Sequence, residues 1–268
     1  MSLINILIFI KMSKIPTYWF NFLQSFYQHV NANPLFKAIP KLTNKKCVLI
    51  EPRKHPLLKY VIYNFMYFLQ PKGWGLHIVC GTDNHDFVLD CCKEMSEVTT
   101  YILPFDNLNE PLYNYLLTSP GFYKSIPDQP EHILIFQTDT LLLKDNVDDY
   151  LKWDYVGAPW QHTLQISFQA GKAIGMNGGL SLRNLKKMIE VCKERSILKA
   201  QLENEDGWIC FKNHDMLILP TLQEAFMFSV ETCWFEDYIP TGMHATYKFQ
   251  SEERIRKCLD LVIMELKK

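Results

Sequence analysis

Hydrophobic and polar positions alternate with two different periods along most of the chain. From residue 47, short apolar runs typical of buried strands are separated by stretches with helical spacing. We predict strands and helices in turn at 47–51, 57–69, 76–80, 84–95, 98–103, 111–117 and 132–136. Strands that alternate with helices are typical of a mostly parallel sheet that is covered on both faces.

Beyond residue 140 the order of the predicted elements becomes mixed. Short strands are predicted at 154–156, 179–183 and 226–231, and helices at 185–198 and from residue 251. We therefore predict an α/β fold whose first half binds a ligand and whose second half completes the site, with a single domain over 47–268.

The segment 1–46 precedes this domain. Residues 17–30 carry aromatic and aliphatic side chains at helical spacing, which predicts a helix that docks on the domain or, alternatively, lies at a membrane interface. The docking interpretation is favoured because the polar face has no Lys or Arg. The apolar run Leu3–Ile10 is too short to span a bilayer and has the wrong charge order for a signal peptide.

Composition narrows the class of protein. The 268 residues are 48% hydrophobic, and 28 basic residues balance 29 acidic ones to a formal charge of -1, which argues against a nucleic-acid partner. The eight cysteines form no C-x-x-C pair and mostly lie in apolar runs, so we expect reduced core thiols. With no N-glycosylation sequon, the expected location is cytoplasmic.

The most informative segment is 133–143, where an apolar strand stops at Gln137, Thr138 and Asp139. Polar residues at the carboxyl end of a parallel strand face the crevice where open α/β sheets bind ligands. Asp139 is thus placed to hold Mg²⁺ or Mn²⁺ that bridges a diphosphate. The alternative is that Asp139 only caps the following turn.

Other polar segments admit a ligand role or a structural one. Gly178 and Gly179 let the backbone approach a ligand or adopt positive φ, or they form an ordinary turn. Trp160 offers a stacking surface for a sugar, or packs in the core. The pair Glu205 and Asp206 is catalytic or part of an exposed acidic loop. Solvated turns explain four further candidates for nucleoside and phosphate contacts almost as well: Glu51, Arg53, Asp83 and Asn84.

Four ordered motifs carry a resemblance to a known family. They are FQTDTLLL, DYVGAPW at 154–160, MNGGLSLRNLKKM at 176–188, and the Glu-Asp pair at 205–206. Across about residues 47–247 the sequence resembles the glycosyltransferase-like family called domain of unknown function 5672. More distantly it resembles glycogenin-type enzymes with the GT-A fold.

The resemblance implies a GT-A-like fold and roles for particular residues. In that fold an Asp-x-Asp motif binds the metal that neutralises the donor diphosphate; here the first acid is Gln137 and the second is Asp139. The turn at Asn177, Gly178 and Gly179 is placed beside the donor sugar, and an acid of the Glu205-Asp206 pair acts as general base.

Glycogenin-like enzymes also use a histidine from a C-terminal segment as a metal ligand. His244 holds the comparable place in chain order, although the surrounding motif matches only in part. The alternative is a loop histidine bonded to a backbone carbonyl. As a ligand, His244 would compensate for the carboxylate that is missing at Gln137.

We therefore predict a metal-dependent glycosyltransferase, with inversion of the anomeric configuration favoured over retention. Its donor is expected to be a UDP- or GDP-sugar and its acceptor a glycan or a protein, without a transmembrane span but with peripheral membrane contact left open. The alternatives are a non-catalytic nucleotide-sugar or glycan-binding protein and a nucleotidyltransferase. Neither a dinucleotide-binding nor a P-loop motif occurs, and no Cys/His spacing suggests zinc. Asn146 is expected to cap a helix whose first turn includes Asp148 and Asp149.

Overall fold

The computed structural model describes residues 15–31, 44–95, 97–193, 204–235 and 238–266. The strands are β1 (Lys45–Ile50), β2 (Gly75–Gly81), β3 (Val98–Leu103), β4 (His132–Phe136), β5 (Thr140–Leu142), β6 (Tyr155–Val156), β7 (Leu180–Asn184), β8 (Ser229–Val230) and β9 (Gly242–His244). The α-helices are α1 (Thr17–Asn31), α2 (Leu58–Leu69), α3 (His85–Cys92), α4 (Glu110–Leu116), α5 (Pro120–Ser125), α6 (Leu164–Ala170), α7 (Leu185–Cys192), α8 (Leu222–Phe228) and α9 (Glu252–Leu266).

A six-stranded sheet in the order β3-β2-β1-β4-β7-β6 forms the centre of the fold. The first four strands are parallel, whereas β7 is antiparallel to both of its neighbours. Strands β1, β2 and β4 are almost wholly buried, as expected for a parallel sheet between helical layers. The predicted α/β fold class with a mostly parallel sheet and a mixed second half is confirmed.

A second sheet of three short strands, in the order β5-β9-β8, lies in the second half of the fold. Strand β9 pairs antiparallel with β5 through Thr140 and His244, and parallel with β8 through Val230 and Met243. The residue before β5, the last residue of β9 and the residue after β8 therefore meet at one edge. These residues are Asp139, His244 and Glu231.

Helix α1 docks on the domain, as its spacing predicts. Its apolar face is buried, with Phe26 edge-on to Tyr67 of α2 at 5.4 Å and Trp19 edge-on to Tyr247 at 5.2 Å. The buried apolar face leaves no basis for the membrane-interface alternative. The described residues contain no helix that is long and apolar enough to cross a membrane.

Two local predictions are wrong. Residues 226–231 are not one strand, because α8 continues to Phe228 behind a capping box of Thr221 and Glu224, and only Ser229 and Val230 pair as strand. Asn146 precedes a short 3₁₀ helix without capping it, because its side chain accepts a hydrogen bond from Thr241 instead.

The remaining early predictions are mostly confirmed. The strands at 98–103 and 132–136 have the predicted bounds, and all eight cysteines are free and buried. The predictions for 3–10 and for the end of the helix at 185–198 lie outside the described residues.

Candidate active site

A cleft of about 340 Å³ opens at the carboxyl ends of β1 and β4. Its walls carry polar side chains from these two strand ends and from the segment after β9: Glu51, Arg53, Gln137, Thr138, Asp139 and Lys248, with Tyr113 and Tyr247 beside them. The structure thus brings five of the predicted site residues together in one cleft.

Three donor atoms from two segments, 137–139 and the end of β9, come together at the edge of this cleft. His244 Nε2 lies 3.1 Å from Gln137 Oε1 and 3.4 Å from Asp139 Oδ1. The Gln137 amide is oriented by its other end, because its Nε2 donates to the Tyr113 hydroxyl at 2.8 Å. The histidine is buried, and its partners are side chains rather than the backbone carbonyl of the alternative interpretation.

The electrostatics of this cluster favour charged groups. Burial disfavours a charge on His244, but Asp139 and Glu231 outweigh it and raise the pKa of the imidazole to about 9. Burial alone would raise the pKa of Asp139, yet His244 and Lys248 hold that pKa well below its usual range. Two cationic groups therefore surround the Asp139 carboxylate.

A carboxylate oxygen, an amide oxygen and an imidazole nitrogen form a donor set that suits Mn²⁺ or Mg²⁺. These three atoms lie close enough together to share one ion that would replace the proton on His244 Nε2. Within the described ranges, no group of three or more His, Cys, Asp or Glu side chains is arranged to hold a metal ion. A site here therefore depends on the amide of Gln137 as a neutral third ligand.

The segment Asn177-Gly178-Gly179, which we call the glycine turn, packs beside this cluster. A Cβ on Gly179 would lie 2.3 Å from His244 Nε2, and a Cβ on Gly178 would lie 2.1 Å from Glu205 Oε1. Left-handed glycines in the described part of the chain are Gly73, Gly171 and Gly175. The glycine turn therefore needs glycine for space, and not for the positive φ that was one of the two expectations.

The Glu205 carboxylate lies in a buried ion pair with Arg183. Arg183 Nη2 donates to Glu205 Oε1 at 3.0 Å and to the Gly178 carbonyl at 3.2 Å. The guanidinium also donates to the Tyr123 hydroxyl and lies over the ring of Tyr155. Both charged side chains are almost fully buried, so this pair holds the glycine turn from beneath.

Within the part of the chain that the structure describes, Asp206 forms no ion pair. Its two carboxylate oxygens accept backbone N–H groups, from Gly178 at 3.2 Å and from Gly207 at 2.8 Å. Burial, followed by the neighbouring negative charge of Glu205, raises the pKa of Asp206 to about 7. A π-helix begins directly after it at Gly207–Lys212, a rare geometry that is frequent at functional sites.

The residues predicted at the first two strand ends separate into two groups. Arg53 donates to Glu51 through two nitrogens, at 2.7 and 2.8 Å, within the cleft. Asn84 is buried and donates to the backbone carbonyls of Glu51 and Arg53, so it shapes this loop. Asp83 is exposed, and its backbone N–H donates to Asp106.

Trp160 lies outside the cleft. The half-buried indole stacks on His162, with ring centroids 5.2 Å apart, and a Cβ on Gly207 would lie 3.8 Å from its Cη2. The indole is therefore next to the helical segment that begins at Glu205 and includes Asp206, and it does not line the cleft with Asp139.

Sequence reasoning missed four residues of this region: Glu231, Lys248, Tyr113 and Arg183. Glu231 follows a strand of two residues, and Lys248 ends a 3₁₀ helix of three residues, so neither belongs to a periodic segment. Arg183 offered a usable signal, because it lies inside a predicted strand, and a charged residue that is buried in a strand needs a partner.

Comparisons with known proteins concern both the sequence and the fold. A comparison with curated proteins finds no significant match. Similar solved structures include a mannosyltransferase from Pyrobaculum calidifontis in complex with GDP-Man and Mn²⁺, with 12% identity and a TM-score of 0.42 over 69% of this chain and 57% of that one. Mouse xyloside xylosyltransferase 1 in its apo form has 10% identity and a TM-score of 0.48 over 77% and 98% of the two chains.

An active-site mutant of LgtC has 13% identity and a TM-score of 0.45 over 82% of this chain and 95% of that one. These three likenesses concern the fold alone. The family model described as protein of unknown function (DUF5672) matches residues 99–244, which is more than half of the 268 residues. The chain therefore belongs to the DUF5672 family.

Proposed function

We propose that this protein is a metal-dependent glycosyltransferase that uses a nucleotide-sugar donor. The observation that carries the proposal is the convergence of Asp139, Gln137 and His244 at a polar cleft, beside a glycine turn whose other side contacts Asp206. Metal ligands and a base on opposite sides of one turn suit a reaction in which a diphosphate leaves and a hydroxyl attacks.

The donor would bind in the cleft of about 340 Å³. Asp139, His244 and the Gln137 amide oxygen would hold Mn²⁺ or Mg²⁺, and the ion would neutralise the donor diphosphate. Lys248 lies 3.3 Å from Asp139, and both Lys248 and Arg53 line the cleft. This arrangement fits the diphosphate of a UDP- or GDP-sugar.

Asp206 is the proposed general base. With a pKa near 7 its carboxylate is available at neutral pH and still has a useful affinity for a proton. It would take the proton of the acceptor hydroxyl while that oxygen bonds to the anomeric carbon and the bond from this carbon to the phosphate oxygen breaks. Direct displacement of this kind inverts the anomeric configuration.

Glu205 is proposed to position Asp206, because Arg183 engages one of its oxygens and its charge raises the pKa of Asp206. The acceptor, a glycan or a protein, would approach from the side of Asp206, where Trp160 offers an aromatic surface. A cytoplasmic location belongs to the same proposal.

One observation favours a non-catalytic nucleotide-sugar-binding protein as the second candidate. Gln137 provides an amide where a second acid would bind the metal more strongly, so the cation site has one carboxylate ligand. Measured turnover of nucleotide sugars separates the two functions. A nucleotidyltransferase has no comparable support.

Thermal unfolding with UDP or GDP, in Mn²⁺ and in EDTA, tests the proposal. At ~100 times its dissociation constant, the nucleotide raises the free energy of unfolding by about 2.7 kcal/mol. For a chain of this size the melting temperature then rises by several degrees. We expect this shift in Mn²⁺ and its loss in EDTA.

Asp139→Ala should abolish the Mn²⁺-dependent shift, whereas Asp149→Ala, at an exposed acid outside the cleft, should keep it. Equal shifts in Mn²⁺ and EDTA would remove the metal from the proposal. Equal losses in the two variants would mean that Asp139 is the wrong acid.

A further inference from the structure

Glu231 lies beside His244 because of the register of the small sheet. Strands β8 and β9 are parallel, with Val230 opposite Met243, so the next residues along each strand are Glu231 and His244. Glu231 is buried, with 7% of its surface exposed. A buried carboxylate needs polar partners to offset its lost hydration.

One oxygen of Glu231 meets two partners. Glu231 Oε1 accepts from His244 Nδ1 at 2.9 Å and from Asn177 Nδ2 at 3.1 Å. An ionised carboxylate only accepts hydrogen bonds, so Nδ1 must carry a hydrogen. The other ring nitrogen, Nε2, is left facing Asp139 and Gln137.

The second partner connects this oxygen with the glycine turn. The side-chain amide of Asn177 donates to Glu231 through Nδ2, and the Oδ1 atom of the same amide accepts from the Gly179 N–H at 2.6 Å. The α-carbon of Gly179 in turn has no room for a side chain next to His244 Nε2. Glu231, Asn177, Gly179 and His244 therefore form a closed ring of contacts.

We infer that Glu231 is a positioning residue that fixes the metal-facing nitrogen of His244 and couples the metal ligands to the glycine turn. The inference rests on the proposed function and names a residue that this function does not yet include. A carboxylate on the far nitrogen of a ligating histidine fixes ring orientation and raises ligand basicity, and its loss usually costs 10- to 100-fold in metal affinity.

Isothermal titration of the full-length protein with MnCl₂ alone tests the first half of the inference. Glu231→Ala should bind Mn²⁺ about 10- to 100-fold more weakly than the wild type. Glu231→Gln should lose less, because its amide oxygen still accepts from Nδ1. Glu131→Gln is the matched control, because Glu131 is exposed at the opposite end of β4 from Gln137, and it should bind as the wild type does.

Stability without metal provides the readout that separates positioning from packing. A purely structural Glu231 would lower the free energy of unfolding and leave the Mn²⁺ dissociation constant of the folded variant unchanged. Wild-type affinity in Glu231→Ala overturns the inference. If Glu231→Ala does not fold, two single variants replace it. The inference is then overturned when Glu231→Gln and Asn177→Ala both bind Mn²⁺ as tightly as the wild type does.

A double-mutant cycle tests the coupling to the glycine turn. Asn177→Ala should change the Mn²⁺ dissociation constant in the wild-type background and leave it unchanged when Glu231 is already Ala, because that background has no oxygen for the Asn177 amide to contact. Additive effects would overturn the coupling. No Mn²⁺ binding by the wild type would overturn the proposed metal site itself, whereas normal wild-type binding with unaffected Glu231 variants would overturn only this inference.

Discussion

The two flanks of the glycine turn use similar charged side chains for different ends. On one flank, Asp139 lines the cleft, and His244 lies against it and against an amide oxygen, where the proposed ion would replace the proton on His244 Nε2. On the other flank, Arg183 Nη2 and Glu205 Oε1 form an ion pair in the core. The first flank is built to exchange partners, whereas the second is built to stay closed.

The difference follows from which carboxylate has a cation. Asp139 has both His244 and Lys248, which hold its pKa well below the usual range. Among the described residues, the Asp206 carboxylate is contacted by backbone N–H groups, whereas Arg183 pairs with Glu205, and burial followed by the charge of Glu205 raises the pKa of Asp206 to about 7. Asp139 therefore remains an anion beside the proposed metal site, whereas the Asp206 carboxyl group can gain and lose a proton near neutral pH.

Removing the cation from the closed flank should have the largest effect. Arg183→Met leaves Glu205 buried and uncompensated, which typically costs about 3–5 kcal/mol. Urea unfolding measures the loss, and adding Glu205→Gln should recover part of it. The control is Arg256→Met, which removes an exposed pair with Glu252 and should change stability little. Equal losses of unfolding free energy in Arg183→Met and Arg256→Met would contradict the conclusion that the ion pair of Arg183 and Glu205 is a buried structural contact.

The second-largest effect is expected in the pH dependence of stability, to which the ionisation of Asp206 contributes. Its folded-state pKa lies above its ordinary value of 3.8, so the folded protein binds the extra proton, and stability falls as pH rises through about 7. Asp206→Asn lacks this loss and should gain on the wild type between about pH 4 and pH 7, by up to ~4 kcal/mol. Urea unfolding across this range checks the gain, and parallel profiles of the two proteins would refute it.

The same variant tests catalysis. Asp206→Asn should bind the nucleotide as the wild type does while transfer falls by at least ~10²-fold, because a base acts on the acceptor in the transition state. Release of nucleotide from UDP- and GDP-sugars measures the rate, and proton NMR of the first product should show an inverted anomeric centre. Unchanged turnover would remove Asp206 from the mechanism.

Two neighbouring glycines allow each flank to be disturbed separately, with a smaller effect. Gly179→Ala crowds His244 and should weaken Mn²⁺ binding, whereas Gly178→Ala crowds Glu205 and should chiefly lower stability, by about 1–3 kcal/mol. Calorimetric titration with Mn²⁺ and urea unfolding of both variants measure the two effects. If the two variants behave alike, the turn does not separate the flanks.

The first half of the fold is predictable from the sequence because its strands are five to seven residues long and alternate with helices. The strands at 98–103 and 132–136 were placed without error, and Asp139 follows the second of them at the expected sheet edge. Strands of two or three residues, such as β5, β8 and β9, are too short to show a period of two. The site depends on these short strands.

The sequence by itself determined the alternating α/β order, the reduced buried cysteines, and the positions of Asp139, His244 and the Glu205-Asp206 pair as candidates. Tertiary structure alone decided that His244 contacts Asp139, 105 positions away in the chain, and that Glu231 contacts His244. It also decided that Arg183 pairs with Glu205 and not with Asp206. The physical reason is that local periodicity fixes which face of an element is buried. The pairing of charged groups depends instead on strand register between distant segments, which no local pattern encodes.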